Sequence, residues 1–119
     1  MNTASAKLGA GRRQFLKSLL LGLAVSTVTL SVLAASGVFS AITLVRAVRV
    51  DRTHYDVYAR PSGQFQSVQF EVRGAWGTPG RRLRDGTWTA RVFGHPGNGW
   101  GARTIVNGKP DAVAYSTLP

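Results

Sequence analysis

The chain has 119 residues, with fifteen lysines and arginines against five acidic side chains and no cysteine. That length leaves room for one domain beside any targeting segment, and the missing cysteine excludes disulfides, thiolate zinc sites, iron–sulfur clusters and cysteine nucleophiles while leaving the redox compartment open. A net charge of +10 favours polyanionic neighbours such as phospholipid headgroups, nucleic acid or acidic wall polymers, although an arginine-rich solvated surface, of the kind a GC-rich genome produces, accounts for much of it equally well.

Residues 1–17 carry Lys7, Arg12, Arg13 and Lys17 and no acid. From Ser18 to Val45 there follow 28 residues without a charge, rich in Leu, Val and Ala. As a helix this run would reach roughly 42 Å, more than the ~30 Å hydrocarbon core of a bilayer. A soluble core helix would instead show a polar stripe every 3.6 residues, roughly. The first half also has the three-part layout of a secretory signal: a basic start, an apolar stretch over Leu19–Leu33, and small residues around Ala34 and Ala35 where cleavage would fall.

Gly11, Arg12, Arg13, Gln14, Phe15, Leu16 and Lys17 resemble the twin-arginine translocation signal, in which a hydroxyl residue precedes Arg-Arg-x-Phe-Leu-Lys. Gly11, in place of the hydroxyl residue, is the one departure. The resemblance covers residues 11–35. It implies that the twin-arginine translocation machinery reads Arg12, Arg13, Phe15, Leu16 and Lys17 at the cytoplasmic side of a bacterial inner membrane and carries an already folded cargo across. Arg46, Arg49, Arg52 and Arg60, close behind the apolar run, oppose unfolded secretion and agree with that route.

Two outcomes stay open. An uncleaved segment anchors the chain in the membrane, with its C-terminal part periplasmic; cleavage near Ala35 releases a secreted domain. "GVFSAITLV", residues 37–45, completes the span in the first case, and in the second becomes the first strand of the mature domain, being apolar and β-branched. The organisation expected is therefore a basic n-region over 1–17, a transmembrane or signal helix over 18–45, and a small all-β domain over 46–119.

In that domain "HYDVYAR", residues 54–60, and "SVQFEVR", residues 67–73, alternate in the manner of half-buried strands, with Tyr55, Val57, Ala59 and Val68, Phe70, Val72 on the inner faces. "LRDGTW" reads as a two-residue hairpin at Asp85-Gly86, pairing Leu83 with Trp88. "TIVNGKP" offers a second at Asn107-Gly108, with Pro110 confining the returning strand "AVAY" to a sheet edge. The expected architecture is an antiparallel sheet of five or six strands, curled into a sandwich or open barrel. With a core supplying on the order of 3 to 5 kcal/mol, such a domain would draw support from a partner or the membrane.

"GHPGNGWGAR", residues 94–103, is glycine-rich, but no helix follows to make it a phosphate loop. It reads as a loop that could present Trp100 and Arg103 to a sugar, headgroup or protein. "GTPGRRLRDG" gathers Arg81, Arg82 and Arg84, either as a charged edge that resists aggregation or as a basic patch; outside the cytoplasm lipid or an acidic partner suits it better than nucleic acid. His54 and His95 lack metal-ligand spacing. Asp51, Asp56, Glu71, Asp85 and Asp111 form no evident acid–base pair, and no Gly-x-Ser-x-Gly elbow is present.

The composition thus points away from an enzyme and calls for no metal or cofactor. Two functions follow. The first is an exported, membrane-anchored accessory or interaction subunit of a cell-envelope complex, with a membrane or periplasmic protein as partner. The second is a secreted wall- or carbohydrate-binding module that uses Trp76, Trp88, Trp100 and the arginines.

Overall fold

The computed structural model describes residues 28–30 and 34–119. Among the described residues ten strands form two antiparallel sheets: β1 Val28–Leu30, β2 Ala34–Ser36, β3 Ser40–Arg49, β4 His54–Gly63, β5 Ser67–Val72, β6 Ala75–Pro79, β7 Arg81–Arg82, β8 Trp88–Phe93, β9 Gly99–Val106 and β10 Lys109–Thr117. One sheet has the order β10-β9-β5-β6. The other runs β1-β3-β4-β8-β7, with β2 also paired to β3. Hairpins β3/β4, β5/β6, β7/β8 and β9/β10 alternate with connections that cross from one sheet to the other. This order of neighbours is that of immunoglobulin-type sandwiches, a likeness of topology that carries no function with it.

The small all-β domain is therefore present, as a sandwich with more strands than five or six. Residues 40–45 belong to β3, which runs through residue 46 to Arg49. The reason is visible in β3: Ser40, Ile42 and Leu44 face inward, a bulge at Val45 shifts the phase, and Ala47 is the next buried position. A strand can satisfy both the apolar 37–45 stretch and the arginines behind it, because the shift sends Arg46 outward. The remainder of the expected helix, over residues 18–27 and 31–33, and the export-signal residues Arg12 to Lys17 lie outside the described residues. Among the described residues no helix is long and apolar enough to cross a membrane.

The alternating segments behave as their patterns require. Tyr55, Val57 and Ala59 of β4 and Val68 and Phe70 of β5 are buried between the sheets with Ile42, Leu44, Val92, Trp100 and Leu118. Five of the buried positions there, Ala47, Ala59, Ala102, Ala112 and Ala114, are alanine, so the rings of Trp100, Tyr55 and Phe70 supply much of the apolar area removed from water.

Asn107 (φ 52°) and Gly108 (φ 78°) form the expected two-residue turn, both at the positive φ that a type I′ hairpin needs. Pro110 lies on edge strand β10, as expected. The Asp85 turn differs. Leu83 N–H donates to Thr87 O (2.7 Å), Gly86 alone takes positive φ (88°), and Trp88 faces Arg82 instead of Leu83. Thr87 N–H donates to Asp85 Oδ1 (2.9 Å), a local bond that holds Asp85 out of the left-handed region and lengthens the loop to three residues.

Candidate functional site

The arginine and tryptophan positions singled out above do not form one surface. Trp100 is a correction: it is fully buried, the first inward position of β9, and not a loop side chain. The glycine-rich segment stops being a loop at Gly99, where pairing with β10 begins, followed at Trp100 by pairing with β5. Burial of the indole costs something, because among the described residues its Nε1–H has no acceptor. Trp88 is corrected in the same sense, half-buried on the inner face of β8 and edge-on to Phe65 at 6.0 Å.

Trp76 and Arg103 do meet, on the outer face of the β10-β9-β5-β6 sheet. The Arg103 guanidinium lies 4.2 Å over the Trp76 ring, and its Nε–H donates to Gln69 Oε1 (3.0 Å). Tyr115, half-exposed, stands edge-on to Trp76 with centroids 6.3 Å apart. Gly101 makes this closure feasible: a Cβ there would sit 2.8 Å from the Tyr115 ring and 2.9 Å from Glu71 Oε2. Glu71 is buried on this face, and its Oε1 accepts the Gly74 N–H. Arg81, Arg82 and Arg84 are exposed on the β7/β8 hairpin and make no ion pair among the described residues.

His54 and His95 flank the exposed Phe93 edge-on, at 5.7 and 5.6 Å. His54 Nδ1 lies 3.0 Å from Asp51 Oδ1 in the β3–β4 loop. The Asp51 carboxyl is held below its ordinary value by the Thr53 N–H first and by His54 second. Among the described residues no three His, Cys, Asp or Glu side chains converge as a metal site would need.

A different surface stands out, at a place the sequence reading treated only as span or strand. Between β2 and β3 the chain turns over Gly37–Phe39, with Gly37 N–H donating to Ser40 O (2.8 Å). Val38 is 84% exposed and Phe39 53%. Their backbone is tied down by one side chain from another strand. Asp111 of β10 accepts Val38 N–H on Oδ1 (2.9 Å), and Phe39 N–H (3.0 Å) and Ser40 N–H (2.8 Å) on Oδ2. The Ser40 hydroxyl gives its one proton to Asp111 Oδ2 (2.6 Å), so the 2.7 Å contact between Ser40 Oγ and Thr104 Oγ1 is donated by Thr104.

The geometry follows from a bulge. Arg103 pairs with Val113 but Ile105 with Pro110, so Thr104 faces both Ala112 and Asp111. The Thr104 hydroxyl accepts the Ala112 N–H (2.9 Å) that the bulge would otherwise orphan, and the extra residue, Asp111, is re-aimed toward β3. Its four donors stabilise the charged form, the Ser40 hydroxyl foremost, and hold the carboxyl below the usual carboxylate range. Gly63 completes the cradle: at φ +87° a Cβ would lie 2.6 Å from Phe39 O. Gln64 N–H then donates to that same carbonyl (3.0 Å).

Comparison with protein-family models, curated proteins and solved structures finds no match for this chain. The signal that could have revealed the turn was faint. In sequence Val38 and Phe39 look like the rest of an apolar run, and Asp111 lies more than 70 residues away.

Proposed function

We propose that this chain is an exported interaction subunit of a bacterial cell-envelope complex, carried by the twin-arginine route and acting outside the inner membrane through its β-sandwich. The observation that carries this reading is the turn at Val38 and Phe39, where a tied-down backbone displays two apolar side chains to solvent. Exposed apolar groups on a rigid mount are the usual mark of a surface that another molecule covers. A rigid mount also reduces the ordering cost of association.

The carbohydrate-binding alternative has less support. Of its three tryptophans, Trp100 is in the core, Trp88 is half-buried inside, and one face of Trp76 is occupied by Arg103. The arginines that remain exposed suit an acidic patch on the protein partner.

A photo-crosslinking amino acid placed at position 39 of the full-length chain tests the docking role in the native envelope. A discrete adduct with one membrane or periplasmic protein is expected. Val38→Ser with Phe39→Ser should reduce co-purification of that protein about tenfold or more, since each apolar side chain contributes ~1.5 kcal/mol or more on burial. Adducts with lipid alone, or none, would remove the protein-partner reading.

The export half has its own test. Replacing Arg12 and Arg13 by lysine should abolish transport of a folded reporter fused behind residue 45, because a twin-arginine receptor reads guanidinium geometry as well as charge. Undiminished transport would remove the assignment.

A further inference from the structure

On the face of the sandwich opposite the Trp76–Arg103 stack, an open cleft of about 560 Å³ lies where β7 and the end of β6 meet β8 and β4. Strand alternation sends Trp88, Ala90 and Val92 toward the core and hence Thr89 and Arg91 outward, beside Asp56 and Tyr58 of β4, which pair with them. Arg81, opposite Thr89 across the β7/β8 pair, forms a wall of the cleft, whereas its neighbours Arg82 and Arg84 do not line it.

The polar inventory is heavily weighted to donors. Arg91 grips Asp56 in a two-pronged pair, Nε to Oδ1 at 2.9 Å and Nη2 to Oδ2 at 3.0 Å. That pair neutralises the one carboxylate of the cleft and still leaves three guanidinium N–H groups of Arg91 unused, out of about five. Arg81 has no ion-pair partner among the described residues. Arg46 lies 4.0 Å over the Tyr58 ring and adds a third guanidinium beside the cleft. Thr89 is 6% exposed, yet its hydroxyl makes no hydrogen bond among the described residues. That hydroxyl is open to solvent, since among the described residues only the Trp100 Nε1–H is a fully enclosed side-chain polar group without a partner, and it borders a space flanked by guanidiniums.

We infer that this cleft binds the phosphate ester of a sugar or polyol, the unit that phosphorylated glycans repeat. Arg81 and the free N–H groups of Arg91 take the phosphate oxygens, since guanidiniums match oxyanions in charge and geometry. The Thr89 hydroxyl and the part of Tyr58 that Arg46 leaves uncovered receive the polyol body. The volume is in the range of small-molecule sites and exceeds what a lone phosphate needs. This site is separate from the Val38–Phe39 turn and does not rest on its docking role.

The test uses the full-length chain, ¹⁵N-labelled in zwitterionic detergent micelles and titrated with glucose 6-phosphate, with inorganic phosphate and glucose as separate arms, followed by arginine Nε–H and backbone amide resonances. Saturable shifts centred on Arg81, Thr89 and Arg91 are expected with glucose 6-phosphate, weaker saturation with inorganic phosphate, and none with glucose. Arg81→Ala should weaken binding about tenfold or more and Thr89→Val a few-fold, with Arg84→Ala within about twofold of the parent. No saturation by ~50 mM, which corresponds to less than about 2 kcal/mol of binding, would overturn the proposal. So would an equal response to glucose, phosphate binding as tightly as the ester, or an Arg84→Ala loss equal to that of Arg81→Ala, the mark of diffuse attraction to a basic surface.

Discussion

Trp100→Ala is expected to leave the domain largely unfolded at 37 °C. The indole is fully enclosed between the sheets, where five of the buried apolar positions are alanine and cannot expand to fill the space. Removing a buried tryptophan side chain costs about 3 to 5 kcal/mol, through lost transfer energy and the cavity left behind. A domain of this size is stable by roughly 5 kcal/mol in total. Loss of near-ultraviolet circular dichroism and of a cooperative urea transition would register the result; a transition kept at the parent midpoint would show that the indole is not a core element. Trp100→Phe is the informative companion. It keeps an aromatic ring in place and removes an N–H that has no acceptor among the described residues, so it should destabilise by well under half as much.

Asp111→Ala should free the Val38–Phe39 turn and loosen the end of the sandwich to which it is tied. Three backbone N–H groups and the Ser40 hydroxyl lose their shared acceptor at once, and Asp111 is the side chain joining β10 to the start of β3. Hydrogen exchange at residues 38–40 should rise toward unfolded rates, and the melting temperature should fall further than for Asp51→Ala, which cuts only contacts within one loop. Asp111→Asn should rescue only in part, because its amide oxygen can take the place of Oδ2 but its NH2 would then face the Val38 N–H.

The same carboxylate sets a pH dependence. Its folded-state pKa is depressed, chiefly by the Ser40 hydroxyl and then by the N–H groups of Phe39, Val38 and Ser40. The stability it contributes is therefore fully present above its ordinary value of 3.8. It is lost as the pH falls below that value and through the lower folded-state one. Asp85, depressed mainly by the Thr87 N–H, and Asp51 act in the same direction. Urea midpoints measured from pH 6 down to pH 2, roughly, should fall at the acid end, with a shallower fall in Asp111→Ala. Parallel curves for the two chains would refute the role of Asp111.

Legibility differed from one segment to the next, for physical reasons. Asn107-Gly108 could be recognised as a turn because both residues tolerate positive φ by themselves. Arg73-Gly74, the β5/β6 turn, could not, although it has the same geometry at φ 56° and 82°. An arginine is costly there, and it is held by partners outside the tetrad, with Arg73 N–H donating to Gly99 O and Gly74 N–H to Glu71 Oε1. The candidate site fared similarly. Trp76 and Arg103 belonged together, but nothing local could reveal that Trp100 points the other way, or that Arg81 lines a cleft while Arg82 and Arg84 do not.

Residue order alone settles what depends on near neighbours: the absence of thiol chemistry, the basic balance, the inner faces of residues 54–60 and 67–72, and the Asn-Gly reversal. Each of these is an energy paid or gained within a few residues. Folding in three dimensions adds the pairing of strands, the burial of Trp100, the course of β3 through residue 46, and the reach of Asp111 across the sandwich to the turn that displays Val38 and Phe39. Those contacts join side chains about 70 positions apart, and their energy exists only once two sheets have chosen their neighbours, a choice made by the whole chain and by no segment of it.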